Sequence, residues 1–320
     1  MYRLSLVIPF VSEPELFEDT LVSVLQNRPA NCEVIVVHRG PYEDPYDLRD
    51  EVCFVEVPTT ASTLQSINAG LTAARGEVVH LLKPGVLAIE GWTKPALARF
   101  DDPTLGAVAP VVLGRSNPDR IVSAGLRFTA GGARRVNGVG MRSSASKRLA
   151  RRVMAGPTLT AAFYRKTALL ALGGLPEVVG EQLADADLAI SLRALGWGCV
   201  LEPACQLVGD AKPQAAPLSF AAGRCDERLF LRYATTYGMF PAIVFHLFAV
   251  LGRWLCGAYR WGAYSHVLGR LAACFERRRE HAQPTLLDGL RARGPSPADA
   301  ELVTPSQAVN HPARTRNRAA

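Results

Sequence analysis

Over its first third the chain alternates short runs rich in β-branched residues with segments of helical period, and few folds can satisfy that alternation. Leu4–Pro9, Glu33–Val37, Val52–Val57, Val78–Leu82 and Gly106–Val112 read as strands. Glu13–Gln26, Ser62–Ala74 and Gly91–Phe100 read as helices between them, the first with Leu16, Thr20, Leu21, Val24 and Leu25 at helical spacing. Strands apolar along their whole length, separated by helical crossovers, belong to a sheet covered on both faces. The expected class is therefore α/β, with a sheet of parallel strands. Such sheets bind ligands outside the carboxyl ends of their strands. That directs attention to Arg39 and Lys83, at the carboxyl ends of neighbouring strands.

The rhythm breaks over residues 113–156, which are glycine-rich and basic, and where hairpins or a mobile loop are expected. Helix signals return at Arg165–Leu172 and Asp185–Leu195, stopped by Gly173 and Gly196. From Ser219 to about Arg279 the pattern is helical and rich in aromatic residues, and the polar, proline-containing stretch after it reads as a disordered tail. The expected organisation is a domain over 1–210, a helical appendage over 211–280 and a tail over 281–320. Met239–Gly252, which contains His246, falls short of the roughly 20 apolar residues that cross a bilayer. Arginines at 253, 260, 270 and 277–279 stand among tryptophans and tyrosines. This suits either a helix lying in a membrane interface or a helical pair packed on the domain with its arginines extended to water.

Charge and cysteine usage exclude several classes. Met1–Phe10 lacks the basic, long apolar and small-residue regions of a secretory leader, so a cytoplasmic protein is expected. Seven cysteines, an odd number without a C-x-x-C pair, suggest neither a zinc ribbon nor a disulfide framework. The net charge of +7 is concentrated: residues 120–176 hold eleven lysines and arginines and no carboxylate. Such a segment attracts phosphates or anionic lipid headgroups, unless it is simply a solvated basic loop. Nucleic acid is not an expected partner, because the basic residues are not interleaved with aromatics and no nucleic-acid module is present. His80 reads as a packed histidine, and Gly138-Val139-Gly140 as no dinucleotide fingerprint.

Three blocks of sequence carry a resemblance. The first is Leu6-Val7-Ile8-Pro9 with Leu21–Gln26 and Glu33–Val37; the second is Asn68-Ala69-Gly70-Leu71 followed by Ala74-Arg75-Gly76-Glu77 and the strand Val78–Leu82. The third is Leu172-Gly173-Gly174-Leu175, Asp185-Ala186-Asp187-Leu188, Arg193 and Gly196-Trp197. In this order, over roughly residues 3–208, the chain resembles the family 2 inverting glycosyltransferases of GT-A fold. The resemblance implies hexosyl or deoxyhexosyl transfer from a nucleotide-sugar to a cell-surface glycan or lipid-linked acceptor in cell-envelope polysaccharide synthesis, peripheral to the cytosolic face of a membrane. It implies a GT-A-like mixed, mainly parallel sheet, Asp185 as the base and Asp187 as support for the acceptor side or the helix terminus, with Pro9, His38, Arg39, Gly40, Asn68, Gly70, Lys83 and Gly85 around the donor. A carboxylate in the first turn of a helix is favoured by the dipole and can take the acceptor's proton. The plain alternative for both aspartates is helix capping.

The departures are as informative. The family places aspartates directly after the second strand, where this chain has His38-Arg39-Gly40, and a D-x-D after the fourth, where it has Lys83-Pro84-Gly85. Neither offers carboxylate oxygen to Mg²⁺ or Mn²⁺. Ala184 replaces a usual glutamate, and the histidine usual after the last strand is missing around Val208-Gly209-Asp210. The chain is then either a transferase in which Lys83, Arg39 and the basic segment take the place of the metal, or an inactive relative that binds or scaffolds. Lys83 ahead of Pro84-Gly85 is also compatible with an ordinary exposed turn.

Overall fold

The computed structural model describes residues 3–10, 13–177, 179–210, 218–237, 239–257 and 261–280. Its strands are β1 (Leu4–Phe10), β2 (Cys32–Arg39), β3 (Val52–Val57), β4 (Val78–Leu82), β5 (Val86–Leu87), β6 (Leu105–Leu113), β7 (Ile121–Ser123), β8 (Leu126–Phe128), β9 (Arg134–Val136), β10 (Ala161–Arg165) and β11 (Gly198–Gly209). The helices are α1 (Pro14–Gln26), α2 (Thr63–Ala73), α3 (Thr93–Arg99), α4 (Ser146–Ala150), α5 (Lys166–Ala171), α6 (Ala184–Ala194), α7 (Phe220–Tyr237), α8 (Met239–Gly257) and α9 (Trp261–Glu280). The main sheet runs β3-β2-β1-β4-β10-β6-β11-β5, with β7 on β6. β3, β2, β1 and β4 are mutually parallel, β10 is antiparallel to β4 and β6, and β11 is parallel to β6. The sheet is thus mixed and mainly parallel.

Alternation along the strands sorts two cores. Leu6, Ile8, Val34 and Val36 face α1 and α3, meeting Phe17, Leu21 and Trp92. Val7, Ile35, Val37 and Leu81 face α2, α5 and α6, meeting Leu64, Ile67, Leu169 and Leu188. α2 starts on a capping box, with Gln65 N donating to Ser62 Oγ at 3.1 Å and Ser62 N to Gln65 Oε1 at 2.9 Å. Gly70 brings this helix onto the sheet: a Cβ there would lie 2.5 Å from Val7 Cγ1 and 3.0 Å from Val37 Cγ2.

The turn Ala74-Arg75-Gly76-Glu77 is welded to the sheet by buried polar contacts. Gly76 N donates to Ser5 Oγ at 2.7 Å, Ser5 Oγ to Glu33 Oε1 at 2.5 Å, and Arg75 N to the same carboxylate oxygen at 2.6 Å. A Cβ at Gly76 would stand 2.7 Å from the backbone of Leu4 and Ser5. The motif is therefore a close crossing of chain segments.

The helix expected over Arg165–Leu172 begins one residue later and is preceded by a buried strand, β10, that the sequence pattern does not announce. Ala161–Tyr164 is a short run of small and apolar residues, and such a run has no period that separates strand from helix. Within 113–156, β8 and β9 form the expected hairpin, in register Arg127↔Arg135. The C-terminal helices share a core with the domain: Leu229, Phe230 and Tyr233 of α7 pack with Ala186 and Ile190 of α6. α7 and α9 meet at backbone distance, since a Cβ at Gly223 would overlap the carbonyl of His266. The expected tail, 281–320, lies outside the described residues.

The glycine at 70 yields a direct test. Gly70→Ala should lower stability by about 1–3 kcal/mol through overpacking, seen as a lower denaturant midpoint. Gly252→Ala, in mid-helix with nothing within 4 Å of the added Cβ, should raise it by up to about 1 kcal/mol.

Candidate active site

The carboxyl ends of β1, β2 and β4 bring Pro9, His38, Arg39, Gly40 and Lys83 to one edge of the sheet. Pro9 pairs in register with Val37, and Phe10 with His38. Gly40 turns the chain with φ 67°, its N–H donating to Val57 O at 2.9 Å. Successive side chains of β2 point to opposite faces, so His38 and Arg39 part company here. His38 is buried on the α1 side, its Nδ1 donating to Gly40 O at 2.7 Å. It belongs to an aromatic wall: its ring centre lies 5.5 Å from that of Tyr42, Tyr42 stacks on Phe54, and Phe10 stacks on Phe17. Arg39 lies on the α2 side, where its Nη2 donates to Thr63 Oγ1 at 3.3 Å.

Lys83 is exposed and begins a turn that closes with Val86 N donating to Lys83 O at 3.2 Å. Gly85, with φ 89°, pins this turn to α1 by donating to Thr20 Oγ1 at 2.9 Å and Leu16 O at 3.2 Å. A lysine, a proline and a glycine provide no side-chain oxygen for a hard cation. Among the described residues no group of three His, Cys, Asp or Glu side chains is arranged to hold a metal.

Asn68 and Gly70 have another use. Asn68 Nδ2 donates to Leu175 O at 3.1 Å, and Leu175 N donates to Asn68 Oδ1 at 2.8 Å. Gly174, with φ 95°, fits beneath the amide, where a Cβ would come within 2.6 Å of Asn68 Oδ1. The Asn68-Ala69-Gly70-Leu71 and Leu172-Gly173-Gly174-Leu175 blocks are two halves of one clamp. A shallow depression of about 90 Å³ lies beside it, lined by Asn68, Leu71, Lys166 and Gly173. Packing thus accounts for both Asn68 and Gly70.

Neither aspartate of α6 caps it, for the N-cap position is Leu183 and no side-chain cap bond forms. Both are buried against arginines instead. Arg134 of β9 grips Asp185 with two parallel bonds, Nε to Oδ1 at 2.7 Å and Nη2 to Oδ2 at 2.5 Å. Arg232 of α7 brings its Nε to 2.6 Å from Asp187 Oδ1, off the line of a well-formed hydrogen bond, and donates through Nη2 to Ser191 Oγ at 2.7 Å. Burial pushes the Asp187 carboxyl up to about 6 despite the arginine. Burial, helped by the charge on nearby Asp185, raises the Tyr164 phenol well above its ordinary range.

The arm that delivers Arg134 is itself anchored. At the hairpin turn, a Cβ on Gly132 would lie 2.7 Å from the Tyr233 ring, and one on Gly131 would lie 3.0 Å from Phe245 O. Sequence reading misses both arginines. One signal is available: a buried carboxylate requires a counter-charge, and the acid-free segment beside it is the nearest supply. Arg165 and Lys166 of that segment bind backbone carbonyls, including Leu105 O at 2.9 Å and Ala74 O at 2.6 Å. Arg127, Arg135, Arg142, Lys147, Arg148, Arg151 and Arg152 are exposed. His80 is packed as expected, stacked at 3.7 Å on Phe163, with burial lowering its pKa to about 3.

The sequence matches no protein-family profile and no curated protein. Solved structures do align with it. GalNAc-T7 with UDP, GalNAc and Mn²⁺ superposes with a TM-score of 0.56 at 15% identity, over 71% of this chain and 47% of that one, so this chain spans about half its length. Mannosyltransferase PcManGT from Pyrobaculum calidifontis, in complex with GDP-Man and Mn²⁺, gives 0.52 at 18% identity over 96% and 82%. S. aureus TarS 1–349 gives 0.51 at 13% identity over 73% and 66%. The fold is GT-A-like. At these identities the likeness is one of architecture, and the β1–β4 edge and α6 belong to this mixed, mainly parallel arrangement.

The Asp187 carboxyl makes stability depend on pH. The folded protein holds that proton up to about pH 6, whereas an unfolded chain releases it near 3.9. Folding therefore takes up a proton within this window, and stability falls as pH rises through it, levelling off above. Asp187→Asn should lack this slope. Urea midpoints of wild type and variant at about pH 4.5 and about pH 7.5 check it; a difference independent of pH would mean that Asp187 stays ionised throughout.

Proposed function

We propose that the protein is an inverting glycosyltransferase that moves a hexose or deoxyhexose from a nucleotide-sugar to a glycan or lipid-linked acceptor in cell-envelope polysaccharide synthesis, working at the cytosolic face of a membrane. The observation that carries this reading is Asp185 in the first turn of α6 of a GT-A-like sheet whose carboxyl edge presents Arg39 and Lys83. Asp185 takes the proton of the acceptor hydroxyl as that oxygen bonds to the anomeric carbon and the bond from the sugar to the diphosphate breaks. Negative charge then grows on the departing nucleoside diphosphate, where Lys83 and Arg39 are suited to receive it. Pro9, His38, Gly40 and Gly85 shape the backbone around the donor. The solved neighbours carrying UDP or GDP-Man also carry Mn²⁺; the residues after β4 do not fit such an ion, and cationic side chains replace it in this reading.

Asp185 is 3% exposed. Each carboxylate oxygen has a lone pair left beyond the one Arg134 uses, but an acceptor reaches it only when the β8–β9 hairpin shifts. That closure favours the second reading, an inactive relative that binds or scaffolds. Asp187 supports α6 from beneath in either case.

Two variants and a chelator separate the readings. Wild type should melt at a higher temperature with one member of a nucleotide-sugar panel, unchanged by EDTA. Lys83→Ala should weaken that donor more than tenfold, as removal of a charge aimed at a diphosphate does. Asp185→Asn should bind the donor and transfer nothing. Loss of activity in EDTA would overturn cation replacement, transfer by Asp185→Asn would overturn the base, and no shift with any donor would leave the binding protein.

A further inference from the structure

We infer that the outer faces of α8 and α9 form a docking surface for an anionic lipid bilayer, on which the protein lies without spanning it. This deepens the reading above by naming the surface where acceptor is met, and its test needs no transfer. The group α7–α9 has its polarity reversed relative to a helical unit surrounded by water. Inside, Glu227 accepts from His246 Nε2 at 3.0 Å and from Arg270 at 2.7 Å, while Asp226 binds Arg270 at 3.0 Å and His266 at 3.1 Å. Burial raises the Glu227 carboxyl, yet His246 and Arg270 bring it below the usual range.

Outside, the helices are apolar. Among its described side chains, α8 turns Ala242 and His246 inward and exposes Phe245, Leu247, Phe248, Leu251 and Leu255, with Phe248 69% open. α9 exposes a stripe at helical spacing, Trp261, Tyr264, Leu268, Leu271 and Phe275, with Trp261 91% open. Trp254 and Tyr264 meet edge-on at 6.2 Å between the two helices, making the faces continuous. Contiguous apolar surface on this scale marks a partner or a membrane.

Charge selects the membrane. From Arg228 to Phe275 the sequence has no Asp or Glu. The hairpin seated on α8 presents Arg127 and Arg135, exposed and opposite one another. Exposed cations on a hairpin that contacts α8 through Gly131, together with an acid-free apolar face carrying tryptophan and tyrosine, suit anionic headgroups over acyl chains. Among the described residues no helix is long and apolar enough to cross a membrane, so the helices lie in its plane. The same hairpin carries Arg134 to Asp185, which ties the candidate base to the lipid side.

Flotation of the full chain tests this with vesicles of phosphatidylcholine alone and of phosphatidylcholine mixed with phosphatidylglycerol. Wild type should float with the anionic vesicles and at least about tenfold less with neutral ones. Phe248→Ser combined with Leu255→Ser should reduce binding at least about tenfold at an unchanged melting temperature, and Arg127→Glu with Arg135→Glu should reduce it as well. No flotation, undiminished flotation of the serine variant, or a dimer in light scattering that the serine variant dissolves would overturn the inference, the last in favour of a second copy. Flotation without donor binding keeps this surface and removes the transferase; donor binding without flotation does the reverse.

Discussion

A carboxylate removed from water has to meet a positive charge, and the Arg134–Asp185 pair is where that requirement organises this protein. Asp185 stands at the head of α6, over the centre of the sheet, and its partner comes from a hairpin 51 residues earlier. Leaving such a carboxylate unpaired costs about 3–5 kcal/mol, a large part of the stability of any domain. The hairpin is therefore held down on one side by the pair and on the other by α7 and α8. Arg232 repeats the device farther along α6, reaching Asp187 from α7. Two ion pairs thus tie the sheet domain, the basic insertion and the C-terminal helices into one structure.

The carboxyl edge of the sheet is built by simpler means. Parallel strands end together, and the residues just past each strand end are thereby set side by side. His38 and Arg39 are adjacent in the chain, yet the pleat sends one into an aromatic wall and the other toward the start of α2. Lys83 keeps its place because Gly85 is bonded to α1. The result is an edge that presents cationic side chains and, at Lys83-Pro84-Gly85, no side-chain oxygen.

Much of this is legible in the sequence. β3 and β4 begin and end where the apolar runs Val52–Val57 and Val78–Leu82 do, and Gly173 and Gly196 stop their helices with positive φ. The strand β10 is not legible, because four buried residues carry no period. The blocks at Asn68–Gly76 and Leu172–Leu175 are visible as motifs, but the packing they perform is not: Asn68, Gly70 and Gly76 sit where segments of chain approach closely. Arg134 and Arg232 are invisible for a different reason. An ion pair between segments far apart in the chain leaves no local spacing to read, and only the rule that buried acids need partners points toward them.

The shared packing of α6 and α7 has a consequence for how the chain comes into being. Synthesis delivers the sheet, the basic hairpin and α6 before α7 exists, so for that interval Asp187 lies in a half-built interior without Arg232, and Ala186 and Ile190 lack Leu229 and Phe230. The nascent protein cannot close its fold at the end of β11. Completion waits for α7, and α8 and α9 follow it with their apolar faces. Closure of the sheet domain is thereby followed at once by the appearance of an extended apolar surface.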